Sequence, residues 1–321
     1  MNVLPDHRRQ PTIAMWGTPG SGKTTFLAAL DIALSRRDTE WKLVGRDQAS
    51  TDALSRMTLG LASKQRFPEA TLGTELYRWS LVGNLPTRRR RWRRRVPEAR
   101  LIRIELNVVD RSGEVFASGQ AGHLHREDVV DSLVNSKGLV YMFDPLREHE
   151  YGDAFDHLHG VLVQLGQRMF ASGDLEGGRL PHYVAVCVAK FDEIRVLQTA
   201  EKLQLVTVDP DDPLQLPRVE DEDAADLFRA LCQVSASGNG ELVTNALAQW
   251  FHPDRIKYFV TSAIGFHIDP GLGAYDPDDY QNLMPDPAER GSWRIRGQVH
   301  PINVSEPLLW LGQQLAVEED E

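Results

Sequence analysis

The chain has 321 residues, of which 41% are hydrophobic and 26% are charged, and its formal net charge is −10. These values are ordinary for a globular protein and exclude wholesale disorder or a fibrous repeat. The acidic balance argues against a general nucleic-acid binder.

Targeting signals and disulfides are not expected. No apolar run approaches the length that crosses a bilayer, and no apolar stretch precedes Ile13, which argues against a secretory signal. The two cysteines, Cys187 and Cys232, cannot form a disulfide framework. We therefore expect a reducing, cytoplasmic location and no transmembrane segment.

The first predicted elements are a strand, a glycine-rich turn and a helix. Residues 12–16 form a short apolar run, and apolar residues recur at helical spacing over residues 26–34. This order of elements opens a βαβ unit. A second helix is predicted over residues 49–62.

The remaining elements alternate. Strands over residues 75–82 and 100–110 are predicted to form a hairpin, followed by buried strands at 138–143, 182–189 and 257–262. Helices are predicted at 126–135, 153–170, 242–250 and 305–315. This alternation predicts a three-layer α/β/α fold whose mostly parallel sheet has about six strands and one antiparallel edge hairpin.

Two segments depart from the alternation. Residues 197–240 are acidic and rich in Pro and Asp, with a short helix predicted near 223–232, and residues 265–301 are rich in Pro, Gly and Asp. We interpret both as insertions into a single elaborated domain over residues 1–321. Residues 86–97 form the basic tip of the hairpin.

The strongest motif is GTPGSGKT at residues 17–24, which matches GxxxxGK[ST] between a strand and a helix. Its glycines let the backbone N–H groups curl around phosphate oxygens, and the helix N-terminus adds its dipole. Lys23 is expected to reach the β- and γ-phosphates, and Thr24 to ligate Mg²⁺. The predicted nucleotide-binding residues here are Gly17, Thr18, Pro19, Gly20, Ser21, Gly22, Lys23, Thr24 and Thr25.

A second motif, Asp110-Arg111-Ser112-Gly113-Glu114, follows the strand at 100–110. An acidic residue here can hold Mg²⁺ through water, and the N–H group of Gly113 can reach a γ-phosphate. An ordinary strand-to-loop turn has the same composition. The position of this motif after a phosphate loop, however, favours a role in the nucleotide site.

Two further motifs follow later strands. Asp192 in Ala189-Lys190-Phe191-Asp192 could accept hydrogen bonds from N1–H and the exocyclic amine of guanine, a donor pair that adenine lacks. Lys190 could lie along the base plane. The dipeptide Ser262-Ala263 follows the next strand and is not specific by itself.

In this order the four motifs resemble those of the Ras-like GTPases of the translation-factor-related class, and the closing segment 302–311 also resembles bacterial double-GTPase proteins. The resemblance implies GTP or GDP as ligand, Mg²⁺ as cofactor, slow hydrolysis and a nucleotide-controlled switch with a protein regulator or effector. The switch threonine it implies is Thr71, with Thr74 in reserve. The implied catalytic residues are Lys23, Thr71, Gly113 and Glu114; the metal ligands are Thr24, Thr71 and Asp110; and Lys190, Asp192, Ser262 and Ala263 complete the nucleotide site.

Two residues depart from this family. Ala189 stands where many members have an asparagine that ties the base-reading loop to the phosphate loop. Glu114 stands where many have glutamine, and its charge would repel the γ-phosphate. Two alternatives therefore stay open: an ATPase or nucleoside kinase with the same loop, and a pseudo-GTPase scaffold that binds nucleotide without turnover.

Several charged residues have no assigned partner. Arg111 and Arg126 are candidates for a charge-neutralising arginine, which a partner protein could supply instead, and His123 and His125 could assist hydrolysis or be ordinary loop residues.

Residues 88–95 hold seven arginines and Trp92. They form either a solvated hairpin tip or a contact with an anionic surface, such as a membrane, nucleic acid or an acidic protein face, including the chain's own acidic segment.

Overall fold

The computed structural model describes residues 11–36, 40–68, 74–91, 94–111, 120–288 and 291–318. Its strands are β1 (Thr12–Gly17), β2 (Lys42–Gly45), β3 (Thr74–Arg91), β4 (Arg94–Arg111), β5 (Gly138–Phe143), β6 (Tyr183–Val188), β7 (Val206–Val208), β8 (Pro217–Val219), β9 (Ile256–Val260), β10 (Leu283–Pro285) and β11 (Trp293–Ile295). Its helices are α1 (Lys23–Arg36), α2 (Gln48–Ala62), α3 (Gln120–Val134), α4 (Pro145–Tyr151), α5 (Ala154–Ser172), α6 (Ile194–Lys202), α7 (Ala224–Gln233), α8 (Gly240–Trp250) and α9 (Glu306–Glu318).

The central sheet has seven strands in the order β2-β3-β4-β1-β5-β6-β9. The neighbours from β4 to β9 pair in parallel, whereas β3 runs antiparallel to both β2 and β4. The predicted mostly parallel α/β fold is confirmed, with one strand more than the six expected. The additional strand is β2, whose four residues include only one that is buried, too weak a pattern to identify from sequence.

Both faces of the sheet are covered by helices. Ile13 and Met15 of β1 belong to one hydrophobic core, with residues of α1, α2 and α9, while Ala14 and Trp16 belong to a second core with residues of α3, α5, α7 and α8. All six residues of β5 are buried, as expected for a strand between two helical layers. The architecture is therefore three-layered, as the alternation of elements predicts.

The predicted hairpin is confirmed and is longer than its apolar pattern. β3 and β4 pair in continuous antiparallel register from Thr74 opposite Arg111 to Arg91 opposite Arg94. The arginine-rich run therefore lies largely within the strands. The alternation of apolar and polar residues, which predicts strands only over 75–82 and 100–110, stops before the strands do. Backbone pairing continues beyond it because that pairing does not require apolar side chains.

The two segments interpreted as insertions both contribute to the cores. Residues 197–240 include the end of α6, the β7–β8 hairpin and α7, which is the helix predicted near 223–232. Phe228 of α7 is fully buried, as are Phe266 and Ile295 in the segment 265–301. These segments therefore pack onto the sheet layers; that they are insertions stays a prediction. Among the described helices, none is long and apolar enough to cross a membrane.

Replacement of Phe228 by alanine tests whether the acidic segment is part of the cooperative core. The ring is fully buried and packs edge-on against Phe143, with 5.0 Å between ring centroids. We expect Phe228→Ala to lower the free energy of unfolding by about 3–5 kcal/mol, measured by urea denaturation. As a matched control, Phe170→Ala removes a ring that is 76% exposed and should cost less than about 0.5 kcal/mol. Equal stability of the two variants would contradict this placement of α7.

Candidate functional site

The phosphate loop, defined as residues 17–24, joins the end of β1 to the first residues of α1. Gly20 and Gly22 have φ angles of +76° and +87°, a region that glycine adopts without the steric cost of a side chain. A Cβ atom on Gly17 would lie 2.4 Å from the carbonyl oxygen of Met142. Glycine is thus required at Gly17 because β1 runs so close to β5 at this point.

The Lys23 side chain folds back over this loop. Its Nζ donates to the carbonyl oxygens of Gly17 (3.3 Å) and Thr18 (3.0 Å) and lies 3.5 Å from Ser21 Oγ. Thr18 and Ser21 are buried. The ammonium group is therefore held against the loop backbone at the first turn of α1, close to where a phosphate loop places the phosphates of its nucleotide.

The loop that the motifs predict to recognise a base, residues 189–192 (the base-reading loop), follows β6. Phe191 is fully buried, and its N–H donates to the carbonyl of Thr261 (3.1 Å). Lys190 has a φ angle of +61°, which is uncommon for a residue with a side chain. Its Nζ donates to Asp144 Oδ2 at 2.6 Å. The loop is thus held by a backbone hydrogen bond to Thr261 after β9 and by a side-chain contact with Asp144 after β5.

Asp192 and Ser262 are in direct contact. Ser262 Oγ donates to Asp192 Oδ1 at 2.5 Å and accepts from the N–H of Gly265 at 2.8 Å. Ser262 is fully buried, and Asp192 and Ala263 are half-buried. Burial raises the pKa of Asp192 to about 6, and the hydrogen bond from Ser262 opposes that rise. The hydroxyl therefore orients a carboxylate that is ionised at neutral pH.

These loops lie along one edge of the sheet. β1, β5, β6 and β9 are adjacent and parallel, so their carboxyl ends, which carry the phosphate loop, the β5–α4 turn, the base-reading loop and Ser262, share that edge. Ligands of open α/β sheets bind outside the carboxyl ends of the strands. The structure thus brings the phosphate loop, Lys190, Asp192 and Ser262 to the edge where the motifs predict them.

Sequence reasoning missed two residues in the turn between β5 and α4. Asp144 Oδ1 accepts from the N–H groups of Leu146 (3.1 Å) and Arg147 (3.3 Å) and so caps α4, while its other oxygen holds Lys190. Arg147 Nη1 lies 3.5 Å from the carbonyl oxygen of Pro19 in the phosphate loop. The dipeptide Asp144-Pro145 after a buried strand is a recognisable start of a helix, and its place at a strand end was the available signal.

Of the three predicted metal ligands, Thr24 is the one whose side chain lies among the described residues. Thr24 is half-buried at the start of α1, and its hydroxyl is a hard oxygen donor of the kind that Mg²⁺ accepts. Across the part of the chain that the structure describes, no cluster of three His, Cys, Asp or Glu side chains could hold a metal ion. The predictions that lie outside the described residues concern Thr71, Trp92, Gly113 and Glu114, and the side chains of Thr74, Asp110, Arg111, His123, His125 and Arg126.

No protein-family model matches this chain, and no curated protein is significantly similar to it. Solved structures with a similar fold include the signal recognition particle receptor SRb-GTP/SRX complex from Chaetomium thermophilum, at 12% identity and a TM-score of 0.36, covering 82% of this chain and 94% of that one. Another is a point variant of Era from Aquifex aeolicus bound to GDP and AlF4⁻, at 14% identity and a TM-score of 0.30, covering 78% and 50%. A third is the S. cerevisiae Ski7 GTPase-like domain bound to GTP, at 12% identity and a TM-score of 0.36, covering 84% and 46%.

The present chain therefore spans about half the length of the Era and Ski7 chains. Each of these three solved structures contains GTP or GDP. At such identities and TM-scores they carry no conclusion about function. The chain's own sheet order and phosphate loop define it as a three-layer P-loop α/β fold.

Replacement of Asp192 by asparagine should remove a pH-dependent component of stability. The carboxyl has a pKa of about 6 in the folded chain and about 3.9 when unfolded, so the folded state binds more protons between these values. The contribution of Asp192 to stability is therefore full below about pH 4 and is lost as the pH rises through about 6. Because asparagine does not titrate, we expect Asp192→Asn to become more stable relative to the parent over this interval.

The measurement is urea denaturation of both proteins without nucleotide, at steps from about pH 4.5 to about pH 7.5. Asparagine keeps an oxygen that can accept from Ser262, so the comparison isolates the charge. A stability difference that does not vary with pH would contradict the raised pKa.

Proposed function

We propose that this chain is a Mg²⁺-dependent GTP-binding protein that hydrolyses GTP slowly and acts as a nucleotide-controlled switch. The observation that carries the proposal is the Asp192–Ser262 pair, which lies at the same sheet edge as the phosphate loop and Lys23. This arrangement supports a ligand that has a hydrogen-bond donor pair on its base and a polyphosphate. We further propose a single elaborated domain in a reducing cytoplasmic compartment, consistent with the buried free thiols of Cys187 and Cys232.

Base selection follows from the polarity of Asp192. Guanine presents an N1–H and an exocyclic amine on one edge, and an ionised carboxylate has enough lone pairs to accept from both while also accepting from Ser262. Adenine presents an acceptor at N1, which a carboxylate repels. A site built to satisfy a donor can reject a ligand that lacks it by as much as about 10⁴–10⁵-fold.

The phosphates would be bound by the N–H groups of the phosphate loop and by the Lys23 ammonium. Mg²⁺, when bound, would neutralise charge on the phosphate oxygens, with Thr24, Thr71 and Asp110 as its proposed protein ligands. Phosphoryl transfer depends mainly on such positioning and charge stabilisation. Gly113 would donate its N–H to the γ-phosphate, and Glu114 beside it would slow hydrolysis because its charge repels that group.

The central test measures binding of fluorescent GTP, GDP and ATP by titration with Mg²⁺ present. We expect the parent to bind the guanine nucleotides and to reject ATP, and Lys23→Ala to abolish or severely weaken binding because the phosphates lose a fixed cation. Lys202→Ala, which removes an exposed lysine at the end of α6, is the matched control and should bind normally. Unchanged GTP affinity in a folded Lys23→Ala protein would refute the phosphate-site assignment.

In the same titration, Asp192→Asn should weaken GTP and improve xanthosine triphosphate relative to it, because xanthine has a carbonyl where guanine has its amine. Equal affinity of the parent for ATP and GTP would favour an ATPase or nucleoside kinase. A separate turnover assay measures phosphate release, and tight GTP binding with no release over hours would favour a pseudo-GTPase scaffold.

We also propose that the arginine-rich part of the β3–β4 hairpin contacts nucleic acid. Within the described strands, β1 pairs with β4 only at residues 105–108, and β2 pairs with β3 only at residues 79–82. From Leu85 opposite Arg100 to Arg91 opposite Arg94, the two strands pair only with each other in the described sheet. At about 3.4 Å per residue this two-stranded ribbon is roughly 20 Å long.

The order of the arginines favours nucleic acid over a membrane. The seven arginines follow one another with only Trp92 between them, so the run is dense in positive charge and has almost no apolar side chains. A membrane contacts one face and favours apolar residues there, whereas a nucleic-acid groove has phosphates along both walls, and the major groove of DNA admits a two-stranded ribbon. Because the rest of the chain carries −17 (−10 less the seven arginines), binding would be confined to the ribbon.

Replacement of Arg88–Arg91 and Arg93–Arg95 by serine should abolish binding of a DNA duplex or structured RNA while leaving GTP affinity nearly intact. Fluorescence anisotropy at about 50 and about 300 mM salt measures the effect, and parent affinity should fall steeply with salt because phosphate contacts release counterions. Binding of the parent to anionic liposomes but not to nucleic acid, or to neither at low salt, would refute this partner.

A further inference from the structure

The base-reading loop lacks the asparagine that ties it to the phosphate loop in the family that the motifs resemble. Ala189 stands at this position, is 4% exposed, and has no side-chain group that could donate or accept a hydrogen bond. Its N–H donates to the carbonyl of Phe143 (3.0 Å), so the loop lies directly beside the end of β5. The polar residues that follow Phe143 are therefore well placed to make the missing connection.

Asp144 connects the end of β5 to the base-reading loop. Its side chain is 3% exposed, and its Oδ2 accepts from Lys190 Nζ at 2.6 Å. A charge-assisted hydrogen bond with a nearly buried partner is stronger than one at the surface, because water competes less for both groups. The contact anchors the Nζ end of Lys190, whose left-handed backbone conformation costs free energy for a residue with a side chain.

Arg147 connects the same turn to the phosphate loop. Its Nε and Nη2 donate to the carboxylate of Asp153 at 2.9 and 2.6 Å, and its Nη1 is directed to the carbonyl oxygen of Pro19 at 3.5 Å. The two-point contact with Asp153 fixes the plane of the guanidinium, so little conformational freedom is lost when it contacts the loop. Arg147 is in turn joined to Asp144, which accepts from its backbone N–H.

We propose that the β5–α4 turn is a brace between the two halves of the nucleotide site, in which Asp144 positions Lys190 and Arg147 positions Pro19. The expected effect on nucleotide dissociation rests on the proposed function. A nucleotide bound by both loops dissociates slowly only while the two loops are held together. Asp144 and Arg147 are positioning residues, since they act on the loops and not on the ligand.

The variants Asp144→Asn and Arg147→Gln test the brace. Asparagine is a good N-cap residue, so Asp144→Asn keeps the start of α4 and removes only the charge that holds Lys190. Arg147→Gln removes the guanidinium. The matched control is Arg195→Gln, which breaks the exposed ion pair between Arg195 and Glu193 just after the base-reading loop. Thermal unfolding of each variant verifies that it is folded.

The first readout is the dissociation rate of fluorescent GDP. Each brace variant should raise this rate about tenfold, and the double variant should be no faster than either single one, because both substitutions break the same connection. Arg195→Gln should be unchanged. Effects that multiply to about a hundredfold in the double variant, or single variants with the parent rate, would overturn the brace.

The second readout needs no nucleotide and so separates the brace from the proposed function. Hydrogen exchange of the ligand-free proteins should become faster in both the phosphate loop and the base-reading loop when Asp144 is replaced by asparagine. Faster exchange in residues 189–192 alone would overturn the brace. If the parent binds no guanine nucleotide, the proposed function fails while this measurement still decides the brace.

Discussion

The close approach of β1 to β5 at Gly17 is the constraint on which the site depends. The carbonyl of Met142 occupies the space that a Cβ atom at Gly17 would need, so the chain leaves β1 directly into the phosphate loop with no side chain between the two strands. This approach places the loop beside the end of β5, where Asp144 begins the next turn. The remaining parallel strands then bring Asp192 and Ser262 to the same edge.

Much of the fold follows from the sequence because its strands and helices are long and strongly apolar. β5 and β6 are nearly continuous apolar runs, and α5 has apolar residues at helical spacing along its length. The phosphate loop is recognisable because its chemistry is local: glycines, a lysine and a threonine at fixed spacing between a strand and a helix. Elements of this kind need no knowledge of tertiary contacts.

The features that sequence reasoning missed depend on contacts between distant segments. β2 has four residues and is a strand because its backbone pairs with β3. The contact of Asp144 with Lys190 spans 46 positions, and that of Arg147 with Pro19 spans 128; neither pairing has a fixed spacing. Likewise, the acidic composition of residues 197–240 predicts an insertion and does not show that its short helix packs into the core. Phe228 lies in the core because it is on the apolar side of α7.

The short strand β2 has a consequence for association between copies of the chain. It occupies the edge of the sheet beside Trp79–Val82, so another polypeptide cannot add to β3 there by β-augmentation. The last four residues of β3, from Arg88 to Arg91, are arginines. Two such strand edges brought together in solution would repel each other because both carry positive charge. The hairpin is thereby protected against edge-to-edge aggregation, and a polyanion that neutralised these charges would remove that protection.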